Sequence, residues 1–132
     1  MPVNVERPFR VMLIDDNIID LKINSKIIQL SKLFDEIIQC HSAEEALNYF
    51  HSHSKEPHTL PNLILLDIQM PEMDGLEATT MIRKLQIKQP AILALTANTL
   101  KEDRDECLNA GMNDFISKPL KPEELMKKLA EL

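Results

Sequence analysis

The chain has 132 residues, 44% hydrophobic and 27% charged, with 15 basic against 21 acidic side chains and a net charge of −6. That length suits one domain with one real core, and an acidic chain with five aromatics and no basic run excludes a nucleic-acid reader. Two glycines, Gly75 and Gly111, are too few for a Gly-rich nucleotide cradle, and no apolar run approaches the ~20 residues of a membrane span.

The opening MPVNVERPFR lacks an apolar signal core, so residues 1–9 read as an N-terminal extension and the chain as having no membrane contact. Arg10 to Asp15, RVMLID, is a short apolar run ending in acid, as a buried parallel strand does. A helix follows from Ile18 to Leu33, with Ile19, Ile23, Ile27, Leu30 and Leu33 at core spacing and a second partial stripe of Ile18, Leu21 and Ile28. EIIQC, Glu36 to Cys40, is a second strand. Ser42 and Glu45 have capping-box spacing at the head of a helix lined by Ala43, Ala46, Leu47 and Phe50.

His51 to Asn62 reads as a long polar loop, and its histidines (His51, His53, His58) match no zinc spacing. LILLD, Leu63 to Asp67, is the clearest buried strand. Asp74 and Glu77 then open a third helix with Ala78, Ile82 and Leu85 inward. Ala91 to Leu95 is a fourth strand, and Thr99 with Glu102 opens a fourth helix that Gly111 can end. That helix is poor in apolar positions (Leu100, Cys107, Leu108), which predicts a loosely held element. Asp114 to Ser117 is a fifth strand, and Pro122 begins a last helix lined by Leu125, Leu129 and Leu132. Cys40 and Cys107 form no CxxC pair and read as small buried hydrophobes of a reducing, cytoplasmic compartment.

Strands alternating with helices imply an α/β domain with a parallel sheet covered on both faces, whose crevice lies beyond the carboxyl ends of the strands. Asp15 and Asp16, Asp67, Thr96 and Lys118 all fall at or next to those ends. Carboxylates gathered there repel one another, and a hard divalent cation relieves them; oxygen ligands without His or Cys select Mg2+, with Mn2+ able to substitute. Three carboxylates, one divalent ion and the Lys118 ammonium come near neutrality. Such a site can accept a phosphoryl group on a carboxylate nucleophile. Spacing alone does not say which aspartate.

LIDDN, LILLDIQMPEMDG, ALTAN and DFISKPL, in that order, resemble the receiver domain of two-component response regulators and phosphorelays, from about Arg10 to Leu129. The resemblance implies a single receiver domain over 1–132, core about 10–130. Its fold would be a doubly wound, flavodoxin-like (βα)5 domain with strand order 2-1-3-4-5. It implies Asp67 as the phosphoacceptor, fed by a phosphohistidine of a histidine kinase or histidine phosphotransfer domain. Asp16 would bind Mg2+ directly, Asp15 through a metal-bound water, and Gln69 through its backbone carbonyl. Thr96 and Lys118 would contact the phosphoryl group, a cis bond would join Lys118 to Pro119, and Phe115 would be the switch aromatic. Gln69 and Asn98, both neutral amides, imply an acyl phosphate of intermediate life. The fourth helix, fifth strand and fifth helix would form the output face and a surface for dimerisation. Such a protein is a switch rather than a metabolic enzyme, catalysing only its own phosphorylation and dephosphorylation.

The second stripe of the first helix, Ile18, Leu21 and Ile28, would either pack on a neighbouring helix or dock the histidine phosphodonor. With no output domain read up to Leu132, the expectation is a free-standing regulator or a receiver segment of a hybrid histidine kinase. Rival readings remain. A metal-dependent aspartyl phosphatase commonly places a second acid where this chain has Gln69. A flavin carrier wants hydroxyls and glycine where Asp15-Asp16-Asn17 stands. A pseudo-receiver would bind a partner without phosphorylation.

Overall fold

Apolar runs of four or five residues with little room for polar side chains must be buried on both faces, and that is how the three central strands lie, whereas the two edge strands are partly open to solvent. The computed structural model describes residues 9–67, 75–96 and 101–131. The strands are β1 (Arg10–Ile14), β2 (Glu36–Cys40), β3 (Leu63–Asp67), β4 (Ala91–Thr96) and β5 (Asp114–Ser117). They form one parallel sheet in the order β2-β1-β3-β4-β5, as the resemblance implied. Between them run α1 (Ile18–Ser31), α2 (Ala43–His53), α3 (Gly75–Arg83) and α4 (Lys101–Ala110), and α5 (Pro122–Glu131) follows β5.

Side chains alternate across the sheet and divide the core in two. Met12, Ile14, Ile64, Leu66, Ile92 and Ala94 face Phe50, Ile82 and Cys107 of α2, α3 and α4. Val11, Leu13, Leu63, Leu65, Leu93 and Leu95 face Leu21 and Ile28 of α1 and Leu125 and Leu129 of α5. Order reverses between β1 and β3, which opens a crevice at their carboxyl ends.

Caps fix the helix phases. The Asn17 side chain accepts the backbone N–H groups of Ile19 and Asp20 at 3.0 and 3.1 Å, so Asn17 and neither aspartate of the pair caps α1. Ser42 accepts the Glu45 N–H at 3.0 Å, as its spacing predicted, and Glu45 returns a bond to the His41 N–H. Gly111, at φ 111°, follows α4 in a conformation that favours glycine. His51 and His53 belong to the last turn of α2 rather than to a loop, and a 3-10 turn spans Pro57–Thr59. The His53 ring stacks on Tyr49 at 3.9 Å and its Nδ1 bonds the Tyr49 carbonyl, a structural role.

The first helix corrects the sequence reading. Its buried face is Leu21 and Ile28, each 1% exposed, while Ile19, Ile23 and Leu30 are 69%, 52% and 68% exposed. Leu33 is buried beyond the helix end and Ile27 is half-buried. Apolar residues occupy two sides of this helix, and the more populous side is not the one laid on the sheet. Phase is set by the Asn17 cap and the short connection from β1, which turn the seven-residue pair Leu21 and Ile28 inward. The predicted docking trio is thereby broken up: Leu21 and Ile28 are core, and Ile18 alone of the three is exposed, at 53%.

Candidate functional site

The strand ends deliver the polar residues of the crevice, two after β1 and one each at β3, β4 and just after β5. Asp15 follows β1 directly, with its backbone N–H held by the Cys40 carbonyl at 3.1 Å, and is 2% exposed. Asp67 is the last residue of β3 and 5% exposed; Thr96 ends β4 and is 3% exposed. The Lys118 N–H bonds the Thr96 carbonyl at 2.9 Å, which carries the β4–β5 pairing one residue further and sets Lys118 beside the carboxylates. The bond from Lys118 to Pro119 is cis. Lys118 Nζ lies 3.4 Å from Asp67 Oδ2, a long contact for a hydrogen bond but a close ion pair.

Asp15, Asp16 and Asp67 offer carboxylate oxygens that all lie within 4.8 Å of one another. Asp15 Oδ1 accepts the Asn17 N–H at 2.9 Å, whereas Oδ2 is buried with no hydrogen-bond partner among the described residues. Its pKa is pushed up from 3.8 to about 6, first because burial penalises the charge. The Asn17 N–H opposes that shift, Asp67 adds to it, and Lys118 lowers it. An orphaned carboxylate oxygen beside two more carboxylates fits a hard divalent cation, and the oxygen-only donor set suits Mg2+.

Of the predicted site residues, the structure brings together Asp15, Asp16, Asp67 and Lys118 directly, with Thr96 joined to Lys118 through the backbone. Gln69, Asn98, Leu100 and Leu132 lie outside the described residues, as do the capping residues Asp74 and Thr99. Phe115 is half-buried against the α2–α3–α4 side of the core, with the Arg104 guanidinium 5.7 Å and the Lys128 ammonium 5.5 Å from its ring centre. Lys128 also pairs with Asp114 at 3.0 Å. Sequence reading missed these two cations. The signal was present only in part: Lys128 sits between the core residues Leu125 and Leu129 of one helix, but nothing local joins Arg104 to a strand eleven residues on.

Residues 11–130 match the model of the response regulator receiver domain, and the chain belongs to that family. It is 37% identical over 133 residues to hybrid signal transduction histidine kinase B of Dictyostelium discoideum, covering 92% of this chain and 6% of the kinase. With hybrid signal transduction histidine kinase L of the same organism it shares 40% over 120 residues, covering 88% of this chain and 7% of that protein. The chain thus spans less than a tenth of the length of these relatives. Among solved structures, the receiver domain of the histidine kinase CKI1 from Arabidopsis thaliana, complexed with Mg2+, is 32% identical with a TM-score of 0.77. The match covers 92% of this chain and 91% of that one. The chain is a receiver domain of the two-component phosphorelay type, with an acidic pocket compatible with Mg2+ and with phosphorylation of an aspartate. Among the described residues, no helix is long and apolar enough to cross a membrane.

Proposed function

We propose that Asp67 is the phosphoacceptor of a signalling switch, charged by the phosphohistidine of a histidine kinase or histidine phosphotransfer domain. The observation that carries this reading is the three-carboxylate cluster with Lys118 Nζ 3.4 Å from Asp67. An Asp67 carboxylate oxygen attacks phosphorus, the P–N bond breaks, and the imidazole leaves with the electron pair. Asp15, Asp16, Asp67 and the Gln69 carbonyl would hold Mg2+, whose charge offsets that of the phosphoryl oxygens. Lys118 pairs with one phosphoryl oxygen and the Thr96 hydroxyl donates to another. Drawing Thr96 toward Asp67 alters the space beside Phe115, which shifts the population of two conformations at the face formed by α4, β5 and α5. Neutral Gln69 and Asn98 offer no base to the attacking water, which suits an acyl phosphate of intermediate life.

Intact mass after incubation with acetyl phosphate tests this directly. A gain of one phosphoryl group that requires Mg2+ and vanishes in Asp67→Asn is expected. A folded wild-type protein with no gain, either from acetyl phosphate or from a phosphorylated histidine domain, would instead mark a phosphorylation-independent binding module. Ile18, exposed one residue after the α1 cap, stands where a donor helix would approach the acidic mouth. Ile18→Lys should therefore slow transfer from a protein donor about tenfold and leave acetyl phosphate unaffected. Equal slowing of both would sink the docking role.

A further inference from the structure

Arg83, the last residue of α3, lies outside the candidate site, and its guanidinium makes four hydrogen bonds near the carboxyl end of α4. Its Nε donates to the Gly111 carbonyl at 2.9 Å, and Nη1 donates to the Pro90 carbonyl at 2.7 Å and to Gln89 Oε1 at 3.0 Å. Nη2 donates to Asn113 Oδ1 at 3.0 Å. That same Oδ1 accepts the Ile92 N–H, while the Asn113 N–H bonds the Ile92 carbonyl, each at 2.8 Å. Gln89 in turn donates to the carbonyls of Ile82 and Leu85. One guanidinium thus ties the end of α3, the approach to β4 and the turn from α4 into β5. The packing is close: a Cβ on Gly111 would fall 3.0 Å from Arg83 Cγ.

Among the described side chains of α4, Cys107 is the buried one, joined just past the helix end by buried Met112, whereas Arg104, Asp105, Glu106 and Leu108 are exposed. Its amino end is joined through residues 97–100 to Thr96, the hydroxyl residue of the site. A rod displaced at one end and held at the other rotates.

We propose that Arg83 makes the carboxyl end of α4 a fixed pivot, so that phosphorylation of Asp67 swings the amino-terminal half of the helix about Gly111. The swing carries Arg104 relative to the Phe115 ring, which links the site to the output face. This rests on the phosphoacceptor reading, but the tether itself is tested without phosphorylation.

Amide hydrogen exchange by mass spectrometry, on wild type and Arg83→Gln with and without beryllofluoride and Mg2+, reads both parts. In the unmodified protein, Arg83→Gln should speed exchange across residues 107–113 by about tenfold or more, with Arg83→Lys close to it because an ammonium lacks the planar fork. With beryllofluoride, the wild type should change across residues 101–106 and stay constant across 107–113, and in Arg83→Gln the change should spread into 107–113. A variant whose exchange at 107–113 matches wild type overturns the tether whatever the phosphorylation result. A wild type in which 107–113 changes as much as 101–106 overturns the pivot. Circular dichroism of both variants establishes that they are folded. Acetyl phosphate mass analysis separates failure of the pivot from failure of Asp67 as acceptor.

Discussion

The two ends of the sheet are built on opposite principles. At the amino end, polar groups are matched one for one. Asn62 Oδ1 accepts the Arg10 N–H at 2.7 Å, the Asn62 N–H bonds the Arg10 carbonyl, and the Asn62 carbonyl accepts from Ala91. Phe9 exchanges bonds with Asp35, backbone N–H to Oδ2 in one direction and carbonyl to N–H in the other, and its ring stacks on Phe34 at 5.0 Å. At the carboxyl end three carboxylates crowd together, and one buried oxygen has no hydrogen-bond partner among the described residues. Stability is concentrated where no chemistry takes place and given up where it does.

The largest effect that would sharpen this contrast is at the amino end. Phe9 is 7% exposed, so Phe9→Ala removes a buried ring and its stacking on Phe34 and should cost about 3 kcal/mol. Asn62→Ala leaves the Arg10 N–H without its acceptor and should cost about 1–3 kcal/mol. Urea titration measures both. A loss under about 0.5 kcal/mol in each would mean that the amino end is not a clasp.

At the carboxyl end the same kind of substitution should have the opposite sign. Asp15 titrates near 3.8 when unfolded and at about 6 when folded, so between those values the native state holds more protons. Its contribution to stability therefore falls as pH rises from about 4 to 6 and is least favourable above that. Without divalent cations, Asp15→Asn should stabilise the protein at pH 7 by about 1–3 kcal/mol and flatten this slope. Millimolar Mg2+ should raise the wild-type melting temperature and not that of the variant. Destabilisation by Asp15→Asn in the metal-free protein would break the contrast.

The same division explains what the sequence could reveal. The strands were legible because LILLD and AILAL leave no polar face to misassign, and the topology then places Asp15, Asp67, Thr96 and Lys118 at one edge. The first helix was not, because a count of apolar positions cannot choose between two apolar sides. Ile19, Ile23 and Leu30 outnumber Leu21 and Ile28, yet only the latter meet the sheet. The Arg83 tether was illegible for another reason: its partners Gly111 and Asn113 are 28 and 30 residues away and carry no pattern of their own.

The smallest expected effect tests whether the surface ion pair has any part in holding the amino end. Arg10 Nε meets Glu36 Oε2 at 3.2 Å, with the Glu36 side chain 55% exposed. A pair so open to solvent is screened, and ordering two long side chains offsets most of its Coulombic gain, so Glu36→Gln should change stability by less than about 0.5 kcal/mol. Half-molar salt should leave the wild-type value near that of the variant. A cost above about 1.5 kcal/mol would show that the amino end is held by an ion pair as well as by matched hydrogen bonds, and the contrast would then not be one of satisfied against unsatisfied polar atoms alone. The hydrogen-bond partners argue the other way: the Arg10 N–H and carbonyl are both matched by Asn62, a neutral residue, whatever the guanidinium does.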